Sequence, residues 1–308
     1  MAESGLARRR YCRMHAAARF IPQQFYPWLF VALWSTGFIG AKFGLPDAQA
    51  LTFLSLRYAL VLLLMGVIVL WTRAPWPARG SRAWGHIAVS GLLVHGVYLG
   101  GVFTAIAHGL PAGITALLVG LQPLLTALGA GLFLGERVRP AQWLGLALGL
   151  IGVGLVLAHK LGSGLAAPAL QAMLLPAVLA LLGITAGTLY QKRFCPAFDL
   201  RTGSLIQFLP CLLLTWLAAW ASGESLQVHW SGQFAFALGW LVLVLSLGAV
   251  SLLNVLIRQG SAVHVASLFY LVPPTTAVFA WALFGETLHG LALAGMGVAV
   301  AGVWLARR

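Results

Sequence analysis

Charge is what this 308-residue chain has least of: Asp, Glu, Lys and Arg together make up 8% of it, and only six residues are acidic. Those six are Glu3, Asp47, Glu136, Asp199, Glu224 and Glu286, and each falls in a tail, a loop or the end of an apolar run. No apolar run therefore carries a carboxylate at its centre, which argues against binding a cationic drug at depth or exchanging it for protons there. Cysteine is also scarce: Cys12, Cys195 and Cys211 fall in a basic tail, a basic loop and an apolar run, so none is placed for an external disulfide. The chain has no phosphate-binding loop, no HExxH, no Cys/His cluster and no buried acid pair, so neither ATP hydrolysis nor intramembrane catalysis is expected. We expect no cofactor and no metal.

What the chain has in abundance is apolar surface. Hydrophobic residues are 60% of the total and the mean hydropathy is +0.92, more than a water-soluble globule of this length can bury. Windows of about 20 apolar residues, the length that crosses a hydrocarbon core, predict ten spans. They lie near 26–44, 49–71, 86–107, 111–133, 140–158, 171–191, 202–221, 236–257, 263–284 and 288–306. The fold class expected is an all-α polytopic membrane protein.

The net charge of +13 does not point to nucleic acid, because its residues sit in short loops separated by spans rather than on one solvated face. With a cytoplasmic N-terminus, sixteen Lys and Arg fall inside and only Lys42 and Lys160 outside. That bias predicts cytoplasmic termini and an even number of spans. The basic tail, 1–24, precedes a run too long for a cleaved signal, so we expect it to be retained.

Two segments repeat. Residues 122–136 read QPLLTALGAGLFLGE and residues 272–286, 150 positions later, read VPPTTAVFAWALFGE. Extended by one residue at the start, the pair shares Leu121/Leu271, Pro123/Pro273, Thr126/Thr276, Ala127/Ala277, Ala130/Ala280, Gly135/Gly285 and Glu136/Glu286. The same offset aligns Lys42 with Lys192 and Thr52 with Thr202. The chain thus reads as a tandem duplication of five spans, 25–158 and 171–308, joined by an external linker, 159–170. Five is odd, so the second copy enters the membrane from the opposite side, and the halves form an inverted pair. The loops agree: GERVRP closes the first motif on the predicted inside, GETLHG the second on the predicted outside. Inverted pairs of this kind are a signature of secondary transporters.

The stretch LWSTGFIGAKFGLP, the LRYAL of the second span and the two P…GE segments followed by glycine-rich spans resemble the EamA-type branch of the drug/metabolite transporter superfamily. The resemblance covers nearly the whole chain beyond the tail. It implies ten helices in two repeats, a bacterial inner-membrane location, and export or exchange of small metabolites. One position departs from it: the family often has Asn just before the aromatic residue of the first span, where this chain has Gly37.

Proline inside a span removes a backbone hydrogen bond and turns a carbonyl off axis, which lipid tolerates only where another group meets it. Pro123 frees the carbonyl of Val119, and Pro273 and Pro274 those of Phe269 and Tyr270, so each serves as a hinge of a cavity-lining helix or as a static kink. Glu136 and Glu286 follow glycines able to cap a helix, and we expect them to fasten the corner there, with a gate or proton site as the alternative. Arg57 lies within the second span, where it faces a cavity and draws a carboxylate, pairs with Asp47, or snorkels outward. Its repeat partner is Gln207. His95 is either a proton-coupling group or a hydrogen-bonded packing element. Trp34 and Phe38, with Tyr98, Tyr190, Gln122, Asn254 and Tyr270, are candidates to line a sparsely polar ligand pocket. The glycines Gly145, Gly149, Gly152, Gly295, Gly297 and Gly302 allow close helix contact, either as an internal seam or as the face of a homodimer. The partners expected are lipid bilayer and a small-molecule substrate, a neutral, zwitterionic or anionic metabolite; the alternatives are a cationic drug exporter and a non-transport membrane scaffold.

Overall fold

The computed structural model describes residues 23–134, 139–155 in part, 167–195, 198–259, 268–286 and 290–306. All regular structure among these residues is helical. Helix α1 spans Tyr26–Gly44, with Pro27 in its first turn, where the missing N–H costs nothing. Helix α2 spans Ala50–Thr72 and α3 spans Ala83–Ala107. The fourth span is two helices, α4 (Ala112–Val119) and α5 (Gln122–Leu134). Helix α6 spans Ala167–Phe194 and α7 spans Leu200–Ala221. Helix α8 runs from Gly232 to Gln259 through three consecutive segments. Helix α9 spans Val272–Phe284 and α10 spans Gly290–Ala306.

Six helices among the described residues are long and apolar enough to cross a membrane, and the apolar stretches Val272–Phe284 and Leu293–Gly302 are shorter. Their outward surfaces carry Leu63, Leu70, Leu213, Leu217, Phe236 and Leu243, all well exposed. Trp71, Trp220 and Trp230 lie at or beyond helix ends, where an amphipathic ring sits at a membrane interface. The chain is a multi-pass membrane protein.

The prolines act differently from the mid-helix kinks expected. Helix α4 stops at Gly120, whose N–H donates to the Ala116 carbonyl at 2.8 Å, and the Leu121 N–H tightens to Leu118 at 3.1 Å. Pro123 then occupies the first turn of α5, and Pro273 and Pro274 the first turn of α9, after a 3-10 turn at Phe269–Leu271. A helix start tolerates proline because its first N–H groups have no intrahelical partner. The two breaks also touch: a Cβ on Gly120 would lie 2.7 Å from Cγ of Pro273.

At its other end α9 closes on Gly285, in the left-handed region at φ 62°, with its N–H bonded to Trp281 and that of Glu286 to Ala280. Gly302 lies against the Gly145 carbonyl and the Gly149 N–H, so these glycines form an internal seam.

Helices α2 and α7, repeat partners in sequence, pack antiparallel along the centre. Thr52, in the first turn of α2, shares its one hydroxyl proton between the Glu224 carboxylate at 3.1 Å and the Ser225 carbonyl at 3.2 Å, and Thr202, in the first turn of α7, donates to the Pro75 carbonyl at 2.9 Å. Thr52 and Thr202 are separated by 150 positions, as are Pro75 and Ser225, so the two bonds are reciprocal. Tyr58 and Phe208 share that offset and meet ring to ring at 5.5 Å. Helices α3 and α8 each contain a π-helical stretch, Leu92–Val97 and Leu241–Ala249, at repeat-equivalent places. Such stretches carry one extra residue per turn and re-aim the side chains beyond them.

Candidate functional site

Arg57 is the eighth residue of α2, about 10 Å along the helix from its start. It is 3% exposed, so it does not snorkel. Its Nε donates to the Ser246 hydroxyl at 3.0 Å, and that hydroxyl donates in turn to the Leu241 carbonyl at 3.1 Å. Ser246 lies inside the π-helical stretch of α8, which places its oxygen between the two groups. The bond joins the first half of the chain to the second.

Asp47 does not pair with Arg57: its carboxylate takes Ser231 Oγ at 2.6 Å and His229 Nδ1 at 2.8 Å in a loop beyond the helix end. Those bonds, Ser231 first, hold the Asp47 pKa below its ordinary value. The other acids among the described residues are engaged as well. Asp199 caps α7 and pairs with Arg201. Glu224 accepts the N–H groups of Leu51 and Thr52 at the start of α2, and Glu286 pairs with Lys42. Among the described residues no acid reaches Arg57.

Arg57 instead lines a cavity with Trp34, Gly37 and Phe38 of α1, His95 and Tyr98 of α3, and Leu245 of α8. The Trp34 and Tyr98 rings lie nearly parallel, 6° apart in tilt and 6.4 Å between centroids. The His95 ring stacks on Phe208 at 4.3 Å, and its carbonyl accepts the Tyr58 hydroxyl at 2.7 Å. Gly37 leaves its share of the wall to Leu245, whose Cδ1 would lie 3.3 Å from a Cβ at that position. The free volume is about 30 Å3. That holds two or three waters, at ~10–15 Å3 each, and is far below the ~300–1,000 Å3 of a ligand pocket. The site is closed around its polar groups.

The other sequence candidates sit elsewhere. Gln122 donates to Thr188 at 3.2 Å and Gln191 donates to Asn254 at 3.0 Å, which makes a second polar cluster between α5, α6 and α8. Tyr190 meets His86 Nδ1 at 2.8 Å and the Phe194 ring, toward the end of α6. Tyr270 lies in the 3-10 turn before α9, with its side chain outside the described set, and Glu136 is outside the described residues altogether. Glu286 reaches across to Lys42 of α1 rather than to its own corner, and the Lys42 ammonium lies 4.4 Å over the Phe284 ring.

That end of the molecule opens into a crevice of about 1060 Å3 lined by Lys42, Gln49, Thr104, His108, Glu224 and Glu286. On α3, Val102 and Phe103 face the cavity while Thr104 and Ile106 face the crevice, so about one helical turn divides the two spaces.

Residues 25–158 and 171–308 each match the family described as EamA-like transporter family. A protein of Escherichia coli (strain K12) named uncharacterized inner membrane transporter YedA is 27% identical over 274 residues, covering 89% of this chain and 86% of that one. A probable amino-acid metabolite efflux pump of Salmonella typhimurium is 28% identical over 293 residues, covering 90% of this chain and 92% of the pump. A probable terminal-alkyne amino-acid exporter of Streptantibioticus cattleyicolor is 32% identical over 206 residues, covering 64% and 65%. A solved protein crystal structure aligns with 92% of this chain and 95% of its own at a TM-score of 0.62 and 22% identity, a likeness of fold alone. With both halves matched and six membrane-length helices among the described residues, the chain belongs to the EamA-like transporter family and is a membrane transporter.

Proposed function

We propose that the protein is a ten-helix secondary transporter made of two inverted five-helix repeats, 25–158 and 171–308, in a bacterial inner membrane with both termini cytoplasmic. It exports or exchanges a small amphipathic, amino-acid-like metabolite by alternating access. The observation that carries this reading is the reciprocal pair of hydrogen bonds, Thr52 to Ser225 and Thr202 to Pro75, which tie the two halves head to tail around the Arg57 cavity. Halves related in that way exchange conformations, so a seam closed on one side opens on the other. The Glu286 end is then external, its crevice the outer mouth, and the helix breaks before Pro123 and Pro273 are the hinges.

The relatives named for amino-acid metabolite efflux and amino-acid export support the solute class and the direction. A cationic solute is disfavoured, because the cavity wall contributes a guanidinium and no described carboxylate.

Counterflow in proteoliposomes tests transport: vesicles loaded with unlabelled solute should accumulate labelled solute for some members of an amino-acid panel, without ATP. Thiol labelling tests topology. Cysteines placed at Arg79 and Gln227, both exposed, should react from opposite faces of the membrane. Reaction from the same face removes the inverted arrangement.

A further inference from the structure

Arg57 is a cation with four further N–H donors beyond the one given to Ser246, and among the described residues those four have no acidic partner. It is 3% exposed and surrounded by Trp34, Phe38, Tyr98 and Leu245. A buried unpaired guanidinium is unfavourable in such a wall until an anion joins it. Ser246 holds only the Nε side of this cavity-lining residue, so its bond leaves uncommitted the planar fork of the two terminal nitrogens, the group that grips a carboxylate through two parallel bonds.

We propose that Arg57 is the carboxylate clamp of the transported solute and Ser246 its positioning residue, so that the preferred solute is an organic monoanion with a small apolar body. This rests on the transport reading above and narrows its substrate class. Charge balance sets the preference. One guanidinium is neutralised by one negative charge; a zwitterion leaves a net positive charge in an apolar site, and its ammonium meets ring faces rather than an acid. A dianion leaves a net negative charge. The amino group of an amino-acid-like solute is therefore tolerated and not required, and its carboxylate is indispensable.

The test uses the full chain in proteoliposomes, with protein-free vesicles as the blank, and side chains from alanine to tryptophan in three head-group forms. These are the amino acid, the corresponding 2-oxo acid (a monoanion) and the amino-acid amide (a cation). For the side chain best carried, the oxo acid should compete at least as well as the amino acid, and the amide should compete on the order of 10-fold to 100-fold more weakly. Arg57→Gln should erase that difference between head groups, and Arg57→Lys, which keeps the charge but not the fork, should recover it in part. Ser246→Ala should raise the half-saturating concentration of carboxylates by about 10-fold while leaving turnover at saturation within about 2-fold, and Ser246→Thr should restore it. Size-exclusion profiles in detergent check folding, and the Ser246 pair carries the test if Arg57→Gln does not fold.

An amide carried as well as its acid by the wild type, or a head-group preference that survives Arg57→Gln, overturns the clamp and leaves transport standing. Failure of every compound to move with the wild type overturns the transport reading and the clamp with it.

Discussion

Removing the Lys42 ammonium should loosen the side of the site that the proposed topology makes external, by an amount that follows from its surroundings. Lys42 on α1 pairs with Glu286 past α9, so the contact joins the two halves, and the side chains are 30% and 16% exposed. A fully exposed pair is worth about 0–1 kcal/mol. Two charges about 4 Å apart at an effective dielectric near 20 attract by about 4 kcal/mol before desolvation is subtracted. A half-buried pair falls between these limits, and the Phe284 ring under the ammonium adds about 0.5 kcal/mol. We take the net value as about 1–2 kcal/mol, which at about 1.4 kcal/mol per decade is a shift of about 5- to 30-fold toward the outward-open state.

Val102, 2% exposed on the cavity wall, reports that state. Cysteine at 102, in a chain with Cys12, Cys195 and Cys211 replaced by serine, should react with a membrane-impermeant maleimide about 5- to 30-fold faster after Lys42→Gln. The same should hold for Glu286→Gln. Exchanging the two residues, Lys42→Glu with Glu286→Lys, should bring the rate back toward the starting value. Single variants that label at the original rate would refute the latch, as would a folded double variant that stays fast.

Three further outcomes are expected. Thr202→Val removes the hydroxyl bond to the Pro75 carbonyl and should lower stability by about 0.5–1.5 kcal/mol; Thr52→Val should cost more, since its one proton is shared with an acceptor that is charged, the Glu224 carboxylate, and melting in detergent reads both. Gly101→Ala places a Cβ 2.3 Å from the Pro176 carbonyl oxygen, so it should destabilise by about 1–3 kcal/mol, whereas Gly100→Ala next door meets nothing within 4 Å and should melt near the parent. Asp47 has its pKa lowered from 3.8 by Ser231 and His229, so its contribution to stability is present above pH 3.8 and is lost as the pH falls through the depressed folded value; Asp47→Asn should remove that part of the acid sensitivity in a melting-versus-pH series.

Part of the candidate site is readable from residue chemistry alone. Arg57, His95, Trp34, Phe38 and Tyr98 stand out because a polar or large aromatic group within a span needs a partner, and these five share one cavity. Gln122, Asn254 and Tyr190 drew attention for the same reason but face other neighbours. Helices that are apolar all round show no stripe that says which way a polar residue points. Ser246 is not singled out by residue chemistry, although it is the sole polar residue of LVLVLSLGA. Its role depends on the π-helical register of α8, and apolar periodicity does not encode an added residue per turn. The prolines marked the helix breaks, yet the contact of Gly120 with Pro273 depends on how two distant spans cross.

The frame is symmetric and the site is not, and the two facts belong together. Duplication sets Tyr58 against Phe208, gives α2 and α7 reciprocal ends, and puts π-helical stretches at matching places in α3 and α8. Such a frame alone places the same side chain on both sides of the central seam. Divergence then altered single positions: Arg57 stands opposite Gln207, His95 corresponds to Leu245, and Ser246 to Gly96. Two arginines at that seam would repel each other in an apolar wall, while Gln207 adds no charge and is held by Ser90 at 3.1 Å. One guanidinium, steadied from the other half by a serine that only the second copy has, would give the proposed transporter a binding group that both of its conformations share. On the proposed mechanism the repeated scaffold supplies the motion, and the residues that break its symmetry supply the selectivity.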